Sequence, residues 1–186
     1  MSSQATTTYR ARVKRALEMK NGDQLWVAMG RTTAWPEETS PPAPLPGATD
    51  IDEAIAFGKP VLATLARIVS EAEYGQLTGQ QRVTLYLGGE VIRLGFVADG
   101  DAMTQSARFL YYRAVFNPAL GHPAGPFRQV GIFSSLVPAA GYENADVLAP
   151  AHVQDRGLLE YIDHCTVVNM GPEGPVVCIH GAIEFK

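Results

Sequence analysis

The spacing of apolar and polar side chains along the chain predicts one N-terminal helix followed by a series of strands. From Thr8 to Lys20, apolar residues recur three and four positions apart among basic ones, which is typical of an amphipathic helix. One of Thr6, Thr7 and Thr8 is expected to cap this helix, and Asn21-Gly22 to end it. Short apolar or alternating runs predict strands at Leu25–Met29, Val61–Val69, Val83–Leu87, Val91–Val97, Arg108–Phe116, Phe127–Ser134, Leu158–Asn169 and Val176–Phe185.

Turn signals indicate how several of these strands are connected. Gly88-Gly89 lies between two strands and is typical of a tight antiparallel hairpin. The Gly/Pro-rich segment 171–175 separates the last two strands, which we expect to form a closing hairpin. Two segments leave room for helix: 50–56 is predicted to be a short one, and Val61–Val69 is rich enough in Ala and Leu to allow one.

Residues 32–47 interrupt the strand pattern with a proline-rich segment. Five prolines lie between positions 36 and 46, and each fixes φ and removes a backbone donor, which predicts an extended arm of polyproline character. Trp35 and Leu45 give this arm apolar anchors. Two interpretations stay open: the arm is a long loop over its own domain, or it lies on a neighbouring subunit.

These elements together predict an α+β fold in a single domain over residues 1–186. It consists mainly of antiparallel β sheet, or of a sandwich of such sheets, with one N-terminal helix and the long proline-rich arm. Between 75 and 107 the pattern provides only a short hairpin region.

Composition and charge narrow the classes of function. Of the 186 residues, 46% are hydrophobic, which suffices for a core, and only 18% are charged, against about 25% in ordinary soluble domains. We therefore expect much of the surface to be covered by other protein. A net charge of -4 argues against nucleic acid as a partner, and no apolar run approaches the roughly 20 residues that span a membrane. The N-terminus lacks a signal-peptide pattern, and two cysteines are too few for a disulfide scaffold, which together predict a reducing compartment.

One group of residues has the chemistry of a metal site: His164, Cys165, Cys178 and His180. The closing hairpin would bring them together, and a zinc ion there would support a small metal-dependent enzyme. Adjacent strand residues point to opposite faces, so His164 and Cys165 could share a metal only at a bulge. Free cysteines within strands are the simpler interpretation. No spacing links a nucleophile, an acid and a base, so we predict no metal, no cofactor and no catalytic residue.

Five segments in a fixed order carry a family resemblance. They are an opening helix with Tyr9-Arg10-Ala11, a strand running into Gly30-Arg31 with Trp35 after it, the proline-rich arm, Phe127-Arg128-Gln129-Val130, and Gly157-Leu158-Leu159-Glu160-Tyr161 before the last strand. This order resembles the baseplate wedge subunits of contractile-tailed bacteriophages, of the gene-product-eight type. The resemblance covers roughly 1–60 and 108–186. The best-known relatives are longer and carry inserted β domains, so the chain resembles a short form in which the 75–107 hairpin region replaces them.

The resemblance implies a structural virion protein without enzymatic activity, made in the host cytoplasm and located in the tail baseplate. Its expected partners are other baseplate and tail proteins, in a homodimer or a six-fold repeated assembly, at a wedge or at a collar between tube and baseplate. The alternatives are the metal-dependent enzyme and a generic adaptor that binds through a β surface.

Four residues are the interface candidates: Trp35, Leu45, Arg31 and Arg128. Trp35 and Leu45 are chosen because exposed apolar side chains anchor protein contacts. The two arginines have planar, multidentate donors that bind carbonyls and carboxylates. For both arginines the alternative is a set of bonds within the chain.

Overall fold

The structure, a computed structural model, describes residues 7–22, 25–87 and 89–186. Its helices are α1 (Tyr9–Asn21) and α2 (Glu71–Gln76), with short 3-10 helices at Asp99–Asp101, Pro118–Leu120 and Pro150–His152. The strands are β1 (Trp26–Gly30), β2 (Ala56–Gly58), β3 (Leu62–Ile68), β4 (Arg82–Leu87), β5 (Glu90–Val97), β6 (Phe109–Phe116), β7 (Phe127–Ser134), β8 (Val137–Pro138), β9 (Val147–Leu148), β10 (Val153–Asp155), β11 (Leu158–Val168) and β12 (Val177–Glu184). The predicted α+β class, mainly antiparallel with an N-terminal helix, is confirmed.

The chain divides into two compact units, each built from separate stretches of sequence. Unit 1 comprises Met1–Asn21, Leu62–Tyr112 and His180–Lys186, and unit 2 comprises Gly22–Val61 and Arg113–Ile179. The single domain over 1–186 stays a prediction.

Unit 2 is built around a five-stranded sheet in the order β11-β7-β1-β2-β9. Neighbouring strands in this sheet are antiparallel. All five residues of β1 are buried, which explains why its sequence is a continuous apolar run and does not alternate. The core beside it contains Trp26, Phe57 and Phe133, and the rings of Phe57 and Phe133 meet edge to face at 5.5 Å.

Unit 1 contains α1 and most of the second sheet, whose order is β12-β6-β3-β5-β4. The backbone N–H of Ala11 donates to the Thr8 hydroxyl at 3.3 Å, so Thr8 caps the helix. Thr6, another predicted cap, lies outside the described residues. The apolar side of α1 is buried at Val13 and Ala16. At its other end, Lys20 forms an ion pair with Asp99 at 2.6 Å.

The predicted hairpin of unit 1 is confirmed in its strands, because β4 and β5 pair antiparallel from Arg82↔Gly95 to Leu87↔Glu90. Of its turn, Gly88 lies outside the described residues, and Gly89 has a φ of +86°, which favours glycine. The segment Val61–Val69 is a strand, β3, and not the helix that its Ala and Leu content allowed.

Two sequence predictions about the fold are wrong. The segment 50–56 is a turn leading into β2, because Arg31 N–H donates to the carbonyl of Asp52 at 2.6 Å and Ile55 N–H to that of Met29 at 2.8 Å. These bonds to the end of β1 replace the bonds of a helix. The closing hairpin is also wrong, since β11 lies at one edge of the first sheet and β12 at one edge of the second.

Candidate interface: the proline-rich arm and strand β11

The arm begins where β1 ends, at a close approach between two backbones. A side chain at Gly30 would collide with the Asp52 carbonyl and with Ile51, which explains the glycine. Arg31 follows with a φ of +56°, an unusual conformation for a residue with a side chain. The chain therefore turns sharply out of the sheet at the start of the arm.

Glu53 holds the first two residues of the arm. Its carboxylate accepts the backbone N–H of Thr32 at 2.7 Å and that of Thr33 at 2.8 Å. It also accepts the hydroxyl of Thr33 at 2.6 Å and the hydroxyl of Thr32. The hydrogen bonds from Thr32 and Thr33 lower the pKa of Glu53 from its ordinary 4.5 to about 2, so the carboxylate is charged at neutral pH.

Trp35 is buried in its own unit, with 6% of its surface exposed. Its indole N–H donates to the backbone carbonyl of Cys165 in β11 at 3.0 Å. The guanidinium of Arg31 lies 3.8 Å from the centroid of the indole ring, and the ring of His164 lies at 4.6 Å on another side. Trp35 is therefore not the exposed anchor that the sequence predicted, but a buried side chain that attaches the arm to β11. Its place in an interface stays a prediction.

The two arginines make the bonds within the chain that were considered as an alternative. Arg31 pairs with Asp52 at 2.7 Å. Arg128, 8% exposed, donates from Nε to Glu38 at 2.7 Å and from a terminal nitrogen to the Thr32 carbonyl at 2.6 Å. Glu38 also accepts the backbone N–H of Trp35 at 3.1 Å. Arg128 thus fixes both ends of the segment 32–38, as a multidentate donor is suited to do.

A chain of hydrogen bonds continues to the second half of the arm. His164 Nδ1 lies 2.7 Å from the carbonyl oxygen of Pro42, which only accepts, so Nδ1 carries the proton. Nε2 then accepts from the side-chain amide of Gln129 at 3.0 Å. The amide oxygen of Gln129 accepts the backbone N–H of Asp52 at 2.7 Å, which fixes the orientation of the amide. Every member of this chain of bonds is satisfied in one tautomer of His164.

The end of the arm is exposed beside β11. Leu45 has 75% of its surface exposed. The arm residues 44–46 and 48 and the strand residues 159–162 line a groove of about 260 Å³ between them. Leu158 and Tyr161 of β11 are also exposed, at 60% and 47%. Burial and the negative charge of Asp163 raise the pKa of Tyr161. We call Leu45, Leu158, Glu160, Tyr161 and Asp163 the arm face.

The proposed metal ligands do not form a cluster in the part of the chain that the structure describes. No group of three or more His, Cys, Asp and Glu side chains there is arranged to hold a metal ion. Both ring nitrogens of His164 have protein partners. Burial, and to a lesser extent Asp163, raise the pKa of the half-buried Cys165 thiol to about 11, whereas the Cys178 side chain is exposed. Among the described helices none is both long and apolar enough to cross a membrane.

Three residues that build this site were not predicted from the sequence: Glu38, Glu53 and Gln129. Gln129 follows Arg128 in the Phe-Arg-Gln segment that carried the resemblance, which was an available signal. Glu38 and Glu53 had none, because their partners lie 90 and 20–21 positions away in the sequence.

Comparison with known proteins identifies the family of the chain. Residues 4–174 match the sequence model of a family described as baseplate wedge 3 tail fiber network component. The chain is also 33% identical over 162 residues to Virion protein 3 of Enterococcus phage phiEF24C, an alignment that covers 86% of this chain and 84% of that protein. The resemblance to phage baseplate wedge proteins is confirmed. The chain belongs to the family of baseplate wedge 3 tail fiber network components, which are structural proteins of the phage virion.

Proposed function

We propose that this chain is a non-enzymatic structural subunit of a contractile phage tail, placed at the baseplate wedge or at a collar between tube and baseplate. It is synthesised in the host cytoplasm and incorporated into the virion with neighbouring tail proteins, in a homodimeric or six-fold repeated arrangement. The arm face provides one of its contacts with those neighbours.

One observation carries the proposal: the arm is anchored at its base and exposed at its end. The segment 32–38 is fixed by Arg128, Glu53 and the buried Trp35. Leu45 lies beyond it, between Pro44 and Pro46 and largely in solvent. Prolines reduce the conformational freedom that the free arm would lose on binding, so an anchored and stiff arm orders on a partner at low entropic cost.

Family membership supports the same proposal from another direction. The family is described by both a wedge and a tail fiber network, so wedge and fiber-network proteins are the candidate neighbours. The low fraction of charged residues, 18%, also suits a subunit with several protein contacts.

The test is site-directed cross-linking within assembled virions. Leu45→Cys in a Cys178→Ser background is labelled at the thiol with a short reagent whose other end is photoreactive, and after irradiation the linked peptides are identified by mass spectrometry. Leu120→Cys is the matched control, because Leu120 is exposed to a similar 71% in the same unit but lies outside the arm. We expect Leu45→Cys to link to another molecule of the tail, either a different baseplate protein or a second copy of this chain. Linkage from position 45 only within its own molecule would contradict the proposed contact.

A further inference from the structure

The two units carry formal charges of opposite sign. Unit 1 contains ten Lys and Arg and seven Asp and Glu, a formal charge of +3. Unit 2 contains five Lys and Arg and twelve Asp and Glu, a formal charge of -7. The net charge of -4 therefore hides a strong asymmetry, and such an asymmetry favours contact between unlike units of different copies.

The positive charge of unit 1 is concentrated on α1. This helix contains five of the ten basic residues of the unit and one acidic residue, Glu18. Arg10, Lys14 and Arg15 are exposed on it. Within the part of the chain that the structure describes, the side chains of Arg10 and Arg15 form no hydrogen bond or ion pair, and that of Lys14 pairs only with Glu18 at 3.5 Å. The outward side of α1 is thus a basic surface largely without internal partners.

The arm face of unit 2 has the opposite character. Glu160 and Asp163 are exposed on β11, and within the described chain neither forms an ion pair with a cation. Glu160 accepts only a hydroxyl bond, from Ser134 at 2.6 Å. Glu160 lines the groove, whose apolar edge is formed by Leu45 and Tyr161, and Asp163 lies two residues beyond Tyr161 on β11. A surface of this kind fits a basic segment that also carries an aromatic residue.

We propose that the arm face of one copy binds the basic side of α1 of a second copy. This inference rests on the proposed function only in taking the arm face as a contact surface. Arg10, Lys14 and Arg15 meet Glu160 and Asp163, while Tyr9, 58% exposed, packs against the apolar edge of the groove. The helix is short enough to lie along the strand, since 13 helical residues extend about 20 Å and the 11 residues of β11 about 36 Å.

The contact uses two different surfaces, so it is heterologous: every copy offers one α1 and one arm face. Copies joined in this way form a closed ring if the rotation between them closes, and an open chain if it does not. A two-fold dimer, by contrast, would place the same surface on both sides of the contact.

Charge reversal in the purified full-length chain tests this inference by sedimentation velocity at low salt. The α1 variant is Lys14→Glu with Arg15→Glu, and the β11 variant is Glu160→Lys with Asp163→Lys. Each variant alone should self-associate on the order of tenfold more weakly than the wild-type chain, because opposite charges become like charges. An equimolar mixture of the two variants should recover association, since each then offers one complementary pair of surfaces to the other. Recovery also shows that both variants are folded.

Two charge-reversal variants at other positions serve as controls. Glu173→Lys in unit 2 and Arg113→Glu in the same unit alter exposed charges away from both surfaces and should leave association unchanged. A wild-type chain that stays monomeric, or variants that associate like it, would overturn the inference. A mixture of the two variants that fails to recover association would also overturn it. That result is expected if the chain forms a symmetric dimer, or if a different protein binds the arm face. None of these results bears on cross-linking of Leu45 in the virion, so the proposed function is tested separately.

Discussion

The two halves of the proline-rich arm are close in sequence but differ in how they are held. Residues 32–38 are fixed by hydrogen bonds to Glu53, Arg128 and β11, and Trp35 is buried. Residues 41–47 have a bond from His164 to Pro42 and otherwise lie mainly at the surface, and Leu45 has 75% of its surface exposed.

The arm is therefore attached to its own unit through one segment, residues 32–38, and exposed to other molecules through another, residues 41–47. The aromatic and charged groups of the first half bind to its own unit, and this half therefore positions the arm. The second half keeps the Leu45 side chain exposed and is stiffened mainly by its prolines, with the hydrogen bond from His164 to Pro42 as a tertiary contact. Changes in the first half should therefore alter stability, while changes in the second half should alter only contacts with other molecules.

The largest expected effect follows removal of the anchor. Trp35→Ala should lower the free energy of unfolding by about 3 kcal/mol, because it deletes a buried ring and leaves a cavity. Urea unfolding followed by circular dichroism measures it. Trp35→Phe keeps most of the packing and loses the bond to the Cys165 carbonyl, so its loss should be about 1 kcal/mol. Equal stability of the wild-type chain and both variants would show that Trp35 does not anchor the arm.

Removing the arginine that fixes both ends of the first half should have the next largest effect. Arg128→Ala leaves Glu38 and the Thr32 carbonyl without their donor, which should cost about 2 kcal/mol. The partial exposure of Glu38 limits the cost. Arg113→Ala, on an exposed arginine of the same unit, should stay within about 0.5 kcal/mol of the wild-type chain. Similar losses in both variants would argue against a special position of Arg128.

Lowering the pH should weaken the attachment of residues 32–38, because it protonates the Glu53 carboxylate. Its pKa is lowered in the folded chain to about 2 from an ordinary 4.5, so the stabilisation that it provides is fully present above 4.5 and is lost as the pH falls towards 2. Glu53→Gln lacks this titration, so the difference in stability between the two chains should shrink steadily over that range. Thermal unfolding at stepped pH measures the difference, and a constant difference would contradict the role assigned to the carboxylate.

The smallest effect is a difference in thiol reactivity. Cys178 is exposed and should react with iodoacetamide well before Cys165, whose thiol is half-buried and has a pKa raised to about 11. Because the Cys165 carbonyl receives the indole bond, Trp35→Ala should accelerate alkylation of Cys165 but not that of Cys178. Mass spectrometry of timed samples separates the two sites. Unchanged reactivity of Cys165 in that variant would show that the arm base does not cover it.

Sequence patterns predicted most of the strands because those strands are formed by local alternation or by long apolar runs. β7 and the β4–β5 hairpin were found almost to the residue for this reason. The turn at 50–56 was not, since its shape depends on bonds to the end of β1. Helix α2 was missed although Ser70 accepts the Glu73 N–H, a Ser-x-x-Glu signal that was present in the sequence.

The candidate site was less predictable than the fold, because its partners are far apart in the chain. Arg31 and Arg128 could be named as donors, but their carboxylate partners, Asp52 and Glu38, lie 21 and 90 positions away. Trp35 follows a sharp turn and precedes a proline, which predicts a loop and hence exposure. Its burial arises from β11, more than a hundred residues later, which no local pattern reports.

The most direct test of the central claim, an arm anchored at its base and bound at its end, is an electron cryomicroscopy reconstruction of the intact tail. We expect Trp35 to stay against Cys165 and His164 of its own chain, and Leu45 to be covered by a neighbouring protein molecule. A reconstruction in which Leu45 faces solvent, or in which Trp35 leaves its own chain to enter a neighbour, would contradict it.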